Sequence, residues 1–107
     1  MTQSEKNMDA LLNLAIPVTL EDEVADFLLL RPGLASGFTI VAAQGMGQGA
    51  NLLSSMEQVQ GRCKRKLFLV VGEQEKLRQL LKELSLEIKS QDISYWITPV
   101  LQFGRLS

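Results

Sequence analysis

A run of glycines and the basic residues around it form the part of this chain best suited to binding chemistry. Glycine recurs at every second position from Gly45 to Gly49. Because glycine reaches backbone conformations that turn successive N–H groups inward, such a segment can hold an anion. Nearby amide and basic side chains would add donors and positive charge. The candidates for this anion site are Gly45, Gly47, Gln48, Gly49, Arg62, Lys64 and, from the tail of a neighbouring subunit, Arg105.

A plainer reading of the same residues stays open. The glycines would then only make the segment flexible, and the basic side chains would be solvated. The spacing is not that of a Walker phosphate-binding loop, because no Lys-Ser/Thr pair closes it.

A second group of residues has the chemistry of a soft-metal site. Met46, Met56 and Cys63 fall in the same stretch of chain, and thioether and thiolate sulfur suit Cu(I). Methionines in loops also serve as packing or contact residues, so this interpretation is an alternative. Cys63 is the only cysteine, which leaves no intramolecular disulfide and no thiolate cluster for zinc.

The composition argues against several classes of function. The chain has no histidine, so the usual general base and the commonest metal ligand are missing, and we expect no enzyme. Eleven basic and 12 acidic residues give a net charge of -1, which provides no bulk attraction to nucleic acid or anionic membrane. The polar start of the chain does not resemble a secretory signal, and no apolar run approaches the ~20 residues of a membrane span. We therefore expect a cytoplasmic protein.

Apolar periodicity predicts the elements that must position these residues. Alternation with period two indicates strands, and apolar residues three and four apart indicate helices. Thr19 stands at the expected N-cap of the first helix, and Arg31-Pro32-Gly33 closes that helix. The predicted elements are strands at 11–16, 37–43, 65–71 and 93–98, and helices at about 20–30 and 73–86, with a long loop at 44–63 and a tail at 99–107.

The order of these elements is strand, helix, strand, strand, helix, strand. Two right-handed strand-helix-strand units interleave into one sheet. The sequence therefore predicts an α+β, ferredoxin-like βαββαβ fold in one domain over residues 1–107. Its four-stranded antiparallel sheet carries both helices on one face.

The strands carry apolar side chains on both faces, although the helices would cover only one. One predicted set is Phe38, Ile40, Leu67, Leu69, Ile93, Tyr95 and Ile97; the other is Val41, Phe68, Val70 and Trp96. Whichever set faces away from the helices needs another cover, because each large apolar side chain gains roughly 1.5–3 kcal/mol on burial. We therefore expect an oligomer, with Tyr95 and Trp96 in the core or at a subunit interface.

Several segments resemble the PII signal-transduction superfamily. The segment 33–40 resembles the PII turn and apolar-Thr-apolar strand, 44–49 resembles the base of the mobile T-loop, and 64–71 resembles the strand that follows it. The closing segments 95–100 and 104–106 more closely resemble an uncharacterised PII-like family of proteobacteria, often encoded near heavy-metal efflux components. The resemblance covers about residues 11–98.

The resemblance implies a homotrimer with effector pockets in the clefts between subunits and a T-loop that touches a target protein. It adds Thr39 to the candidates for the effector site. One departure bears on the ligand: PII proteins carry a second glycine-rich segment that grips nucleotide phosphates, whereas residues 86–92 of this chain contain no glycine. That departure argues against ATP binding in the PII manner.

Three functional hypotheses follow. The first is a PII-like trimeric regulator that senses a small, nucleotide-like anionic effector and contacts a partner through residues 44–63. The second is a copper-responsive accessory protein linked to heavy-metal efflux. The third is a structural trimer that scaffolds a partner without a ligand.

Overall fold

The computed structural model describes residues 8–46 and 62–107, and at Arg62 and Cys63 it describes the backbone alone. The strands are β1 (Ala10–Pro17), β2 (Thr39–Met46), β3 (Arg62–Gly72) and β4 (Ser94–Pro99). The helices are α1 (Glu21–Leu29) and α2 (Gln74–Glu87), and a 3-10 turn, Val18–Leu20, precedes α1.

The four strands form one antiparallel sheet in the order β2-β3-β1-β4. Register fixes which residues share a face, because directly opposed residues in an antiparallel pair point to the same side. Leu14 stands opposite Phe68 on one neighbour and Tyr95 on the other, and Ile40 also stands opposite Phe68. The predicted α+β, ferredoxin-like fold is confirmed.

The core lies between the sheet and the two helices. The sheet contributes alternate residues of β1 and β3, of which Leu12, Leu14, Ile16, Phe68 and Val70 are fully buried. The helices contribute Val24, Phe27 and Leu28 from α1 and Leu77, Leu80 and Leu84 from α2 to the same cluster. Both helices therefore cover one face of the sheet.

Polar contacts tie the elements at their ends. The Asp9 carboxylate accepts a hydrogen bond from the Gln74 N–H at 3.1 Å, which caps the start of α2. The Asp9 carbonyl accepts a bond from the Val100 N–H at 3.0 Å, just beyond β4. One residue thus joins the starts of β1 and α2 to the end of β4.

Arg31, just past the end of α1, connects that helix to α2. Its Nε donates to Glu83 at 2.8 Å, and its Nη2 donates to Glu87 at 2.9 Å. Its guanidinium carbon also lies 3.7 Å from the ring centroid of Phe27, a cation–π distance. The two helices are therefore bridged by one side chain.

The strands around the predicted loop are longer than expected. β2 begins at Thr39 and continues to Met46, and β3 already begins at Arg62. Gly45 pairs with Cys63 and Met46 pairs with Arg62, so the ladder satisfies backbone groups that we had predicted to lie in a loop. The predicted loop boundaries, 44 and 63, are therefore wrong, and of the predicted loop residues 47–61 lie outside the described part of the chain.

The predicted N-cap at Thr19 is also wrong. Thr19 lies inside the 3-10 turn, and Leu20 occupies the N-cap position of α1 without a side-chain hydrogen bond. Three carboxylates fill the first turn of the helix instead, where they favour the positive end of the helix dipole.

The predicted face groupings are wrong between strands. Leu67 and Leu69 were grouped with Ile40, but the register places Ile40 opposite Phe68 and Val41 opposite Leu67. Period-two alternation fixes the faces within one strand and leaves the offset between strands free, so sequence alone paired them incorrectly.

In the described ranges 8–46 and 62–107, no helix is long and apolar enough to cross a membrane.

The Arg31 bridge predicts a specific acid sensitivity. Hydrogen bonds from Gln79 at 2.9 Å and from Arg31 hold the pKa of Glu83 below its ordinary value of 4.5. Since the folded pKa lies below the unfolded one, this stabilisation is present above about pH 4.5 and is lost as the pH falls through the folded pKa. We expect the melting temperature of Glu83→Gln to fall less steeply with acidification than that of the wild type.

The control is Glu75→Gln, which removes an exposed carboxylate from the first turn of the same helix. It should keep the wild-type pH profile. If the melting temperatures of Glu83→Gln and the wild type fall in parallel from pH 6 to the lowest pH at which the protein stays folded, Glu83 does not contribute to the acid sensitivity.

Candidate functional site

The face of the sheet opposite the helices carries several partly exposed apolar side chains. We call it the helix-free face; it consists of the odd-numbered residues of β1, β2 and β3 and the even-numbered residues of β4. Val41 is 41% exposed and Trp96 is 47% exposed, while Leu67 and Leu69 are half-buried. No described element of the chain packs over these side chains.

A cleft of about 400 Å³ lies on this face at the end where the β2–β3 hairpin leaves the sheet. Its volume is within the range of small-molecule sites. β2 and β3 supply Gly45, Met46 and Arg65, and the turn before β4 supplies Gln91 and Asp92. The remaining lining residues are Ala15, Ala43, Gln44, Leu67, Ser94 and Trp96.

Arg65 is the principal charge in this cleft. It is only 9% exposed, and its Nη1 donates to the Asp92 carbonyl at 2.7 Å. That bond holds the turn between α2 and β4 against β3. The turn is also braced internally, because the Asp92 N–H donates to the Ser90 hydroxyl at 3.1 Å.

The lining combines donors suited to an anion with an apolar floor. A guanidinium presents five N–H donors in a planar fork that matches carboxylate and phosphate oxygens. Glycine within a strand allows close approach to the backbone, which Gly45 provides here. Ser94 offers a hydroxyl, and Trp96 offers an aromatic surface. The cleft therefore has the elements of a site for a small anionic molecule.

The structure brings only part of the predicted anion site together. Gly45 lines the cleft, whereas exposed Lys64, one ladder step away and opposite Gln44, belongs to the other face of the sheet. Thr39 is exposed at the other end of β2, roughly 20 Å from Gly45 for six residues of strand. Arg105 lies in the exposed segment after β4. Gly47, Gln48, Gly49 and the Arg62 side chain lie outside the described residues.

This spacing has a consequence for any shared site. One subunit cannot place Thr39 and Gly45 against the same small molecule, because they stand at opposite ends of one strand. A pocket that uses both would need Thr39 from one copy and Gly45 from another.

The soft-metal candidates are described only in part. Met46 is 68% exposed at the end of β2, and the Cys63 backbone pairs with Gly45 on the neighbouring strand. Met56 lies outside the described residues. Among the described side chains, those of 8–46 and 64–107, no cluster of three or more His, Cys, Asp or Glu could hold a metal ion.

Sequence reasoning missed Arg65 and Asp92 as cleft residues. A signal was present in the consecutive basic residues Lys64, Arg65 and Lys66, because a strand must send the middle one to the face opposite its neighbours. Asp92 gave no comparable signal. It lies in the turn before β4, and this turn reaches the cleft only when β4 takes its place at the edge of the sheet.

No functionally curated protein matches the sequence. A family model described as "Protein of unknown function (DUF3240)" matches residues 6–107. Among solved structures, a DUF3240 family protein from Shewanella baltica OS155 is 25% identical. The match has a TM-score of 0.74 and covers 94% of this chain and 98% of that chain.

Two further structures share the fold at lower identity. CPII, a nitrogen regulatory PII-like protein from Thiomonas intermedia K12 solved with ADP, AMP and bicarbonate, has a TM-score of 0.65 at 19% identity. That match covers 91% of this chain and 93% of that chain. CutA from Archaeoglobus fulgidus, a periplasmic divalent cation tolerance protein, has a TM-score of 0.68 at 13% identity, covering 92% of this chain and 89% of that chain.

Proposed function

The chain belongs to the DUF3240 family, a family of unknown function with a PII-like fold, and we propose that it is a homotrimeric signalling protein. It senses a small anionic effector at clefts between subunits, and it contacts a partner protein through the hairpin segment 44–63. The observation that carries this proposal is the helix-free face, which the described residues of one subunit leave partly exposed.

The energetics of that face favour self-association. Several large side chains on it are half-exposed, Val41 and Trp96 among them. Their combined burial is worth on the order of 5–10 kcal/mol, which is comparable to the net stability of a small domain. A monomer would leave that free energy unused, so copies of the chain pack their helix-free faces together.

The cleft links this assembly to ligand binding. It opens on the same face, so a neighbouring copy would wall it, and a second copy could bring Thr39 towards Gly45. Binding at Gly45 acts on the base of the hairpin, since this residue lies within the last three pairs of the β2–β3 ladder. The effector thereby changes the affinity of the hairpin segment for its partner, provided that it binds the two states of that segment differently.

The effector class remains a proposal. CPII was solved with ADP, AMP and bicarbonate, and this supports a nucleotide or a smaller anion as candidates. The absence of glycine from 86–92 favours the smaller anion, because phosphate-gripping loops depend on glycine N–H groups. We assign no enzymatic reaction, and we place the protein in the cytoplasm.

Light scattering coupled to size-exclusion chromatography tests the assembly. We expect a trimer at micromolar concentration, and we expect Leu69→Glu to dissociate it, because the substitution puts a charge on the helix-free face. Leu86→Glu makes the same change at a residue that is 71% exposed on α2, and it should leave the trimer intact. A wild-type monomer would overturn the assembly and the effector site that depends on it.

Isothermal titration tests the effector site. A panel of adenine nucleotides, bicarbonate and dicarboxylates should include at least one ligand with a Kd of about 1 mM or tighter. Gly45→Val should weaken its binding at least several-fold by closing the approach to the backbone. Gly37→Val should not, since a Cβ at Gly37 would meet no atom within 4 Å. Absence of heat with every compound would remove the effector claim.

The second candidate function is a Cu(I)-responsive accessory protein for metal efflux. It is favoured by the exposure of Met46 at the end of β2. Competition against a chromophoric Cu(I) chelator should then show binding that falls on Cys63→Ser combined with Met46→Leu and Met56→Leu. Met8→Leu serves as the matched control. Equal affinity in the triple variant and the wild type would exclude these ligands.

A further inference from the structure

Arg65 is a buried cation to which no ion pair of the described residues supplies a counter-charge. The residue is only 9% exposed, yet its Nη1 donates its hydrogen bond to a neutral carbonyl, that of Asp92. Within the described residues, no carboxylate lies within ion-pair distance of its guanidinium. A buried cation normally has a counter-charge.

Self-association makes the problem sharper. Every residue of the helix-free face can be identified from the register, and none of them is Asp or Glu. Contacts in a cyclic trimer are heterologous, so in the proposed trimer each helix-free face meets a different part of a neighbouring helix-free face. A neighbouring helix-free face therefore brings apolar side chains and further copies of Arg65, and it brings no carboxylate.

We propose that Arg65 anchors a small oxyanion, a carboxylate, bicarbonate or phosphate group, in the cleft on the helix-free face. The inference rests on the proposed assembly and names the ligand class and the anchoring residue of its effector site. The anion supplies the negative charge that the sheet face lacks. The bond from Arg65 to Asp92 fixes the direction of the guanidinium, so its remaining N–H donors are held in place.

The rest of the cleft suits a small molecule that carries an anionic group. Its volume, about 400 Å³, exceeds what a bare oxyanion fills. Ser94 adds a donor near the anion end, and Trp96 offers a surface to a planar or apolar remainder of the ligand. Asp92 lines the same cleft, and its negative charge favours a ligand that carries few charges.

The chain contains one tryptophan, and it lies in this cleft, so its emission reports on the site directly. The experiment titrates the full chain with inorganic phosphate, bicarbonate and succinate separately, with sodium chloride adjusted to hold ionic strength constant. We expect a saturable change in Trp96 emission with at least one of the three. Arg65→Met should weaken that binding on the order of tenfold or more, because charge-assisted hydrogen bonds are lost.

Two further variants make the result specific. Arg65→Lys keeps the positive charge but lacks the planar set of guanidinium N–H donors, so it should bind the anion with intermediate affinity. If Arg65→Met does not fold, Arg65→Lys replaces it in the comparison with the wild type. Arg78→Met removes an exposed arginine from α2 and should bind as the wild type does. Equal affinity in Arg65→Met and the wild type would overturn the proposal, as would a wild-type emission that no anion changes.

The same samples separate this inference from the proposed assembly. If light scattering shows a monomer, the assembly is wrong and the electrostatic argument loses its premise. If the oligomer forms and Trp96 emission is insensitive to every anion, the assembly stands and Arg65 does not bind a free oxyanion. In that second case a carboxylate from another part of a neighbouring copy neutralises Arg65.

Discussion

A four-stranded sheet with helices on only one side has a second face that must be either polar or covered. Here that face is apolar, with Val41, Leu67, Leu69 and Trp96 at least partly exposed on it. On the helix side, alternate residues of β1 and β3 are buried against the apolar stripes of both helices. The proposed assembly and the walls of the cleft both depend on how this open side is covered.

The sequence was sufficient for the architecture because its periodicities are strong. α2 shows an uninterrupted apolar stripe, and its predicted bounds lie within one residue of the observed helix. Errors arose where long-range pairing decides the outcome. The β2–β3 ladder extends to Met46 and Arg62 because the backbone N–H and C=O groups of each strand pair with those of the other. The residues around Gly45 contain no local signal that predicts this pairing. Thr19 is a good N-cap residue by type, but the tight turn after Pro17 places it before the helix.

The functional surface was only partly predictable for the same reason. Of the glycines predicted to line a site at the base of the hairpin, Gly45 lies in the lining of the cleft. Arg65 was overlooked because its importance comes from its surroundings: a face without acidic residues, and a carbonyl at Asp92 that orients the guanidinium. Those surroundings come from strands far apart in sequence, and only the register brings them together.

The position of β1 has consequences for synthesis. It is the first strand of the chain, but it is an inner strand of the sheet, and both of its neighbours, β3 and β4, come from the second half of the chain. A ribosome therefore releases an apolar β1 on the order of a few seconds before β3 is available to pair with it. During that interval, α1 is the nearest apolar segment available to shield it. Nascent chains consequently expose an apolar segment at β1. A chaperone that binds extended apolar segments would recognise β1 before any part of the sheet has formed.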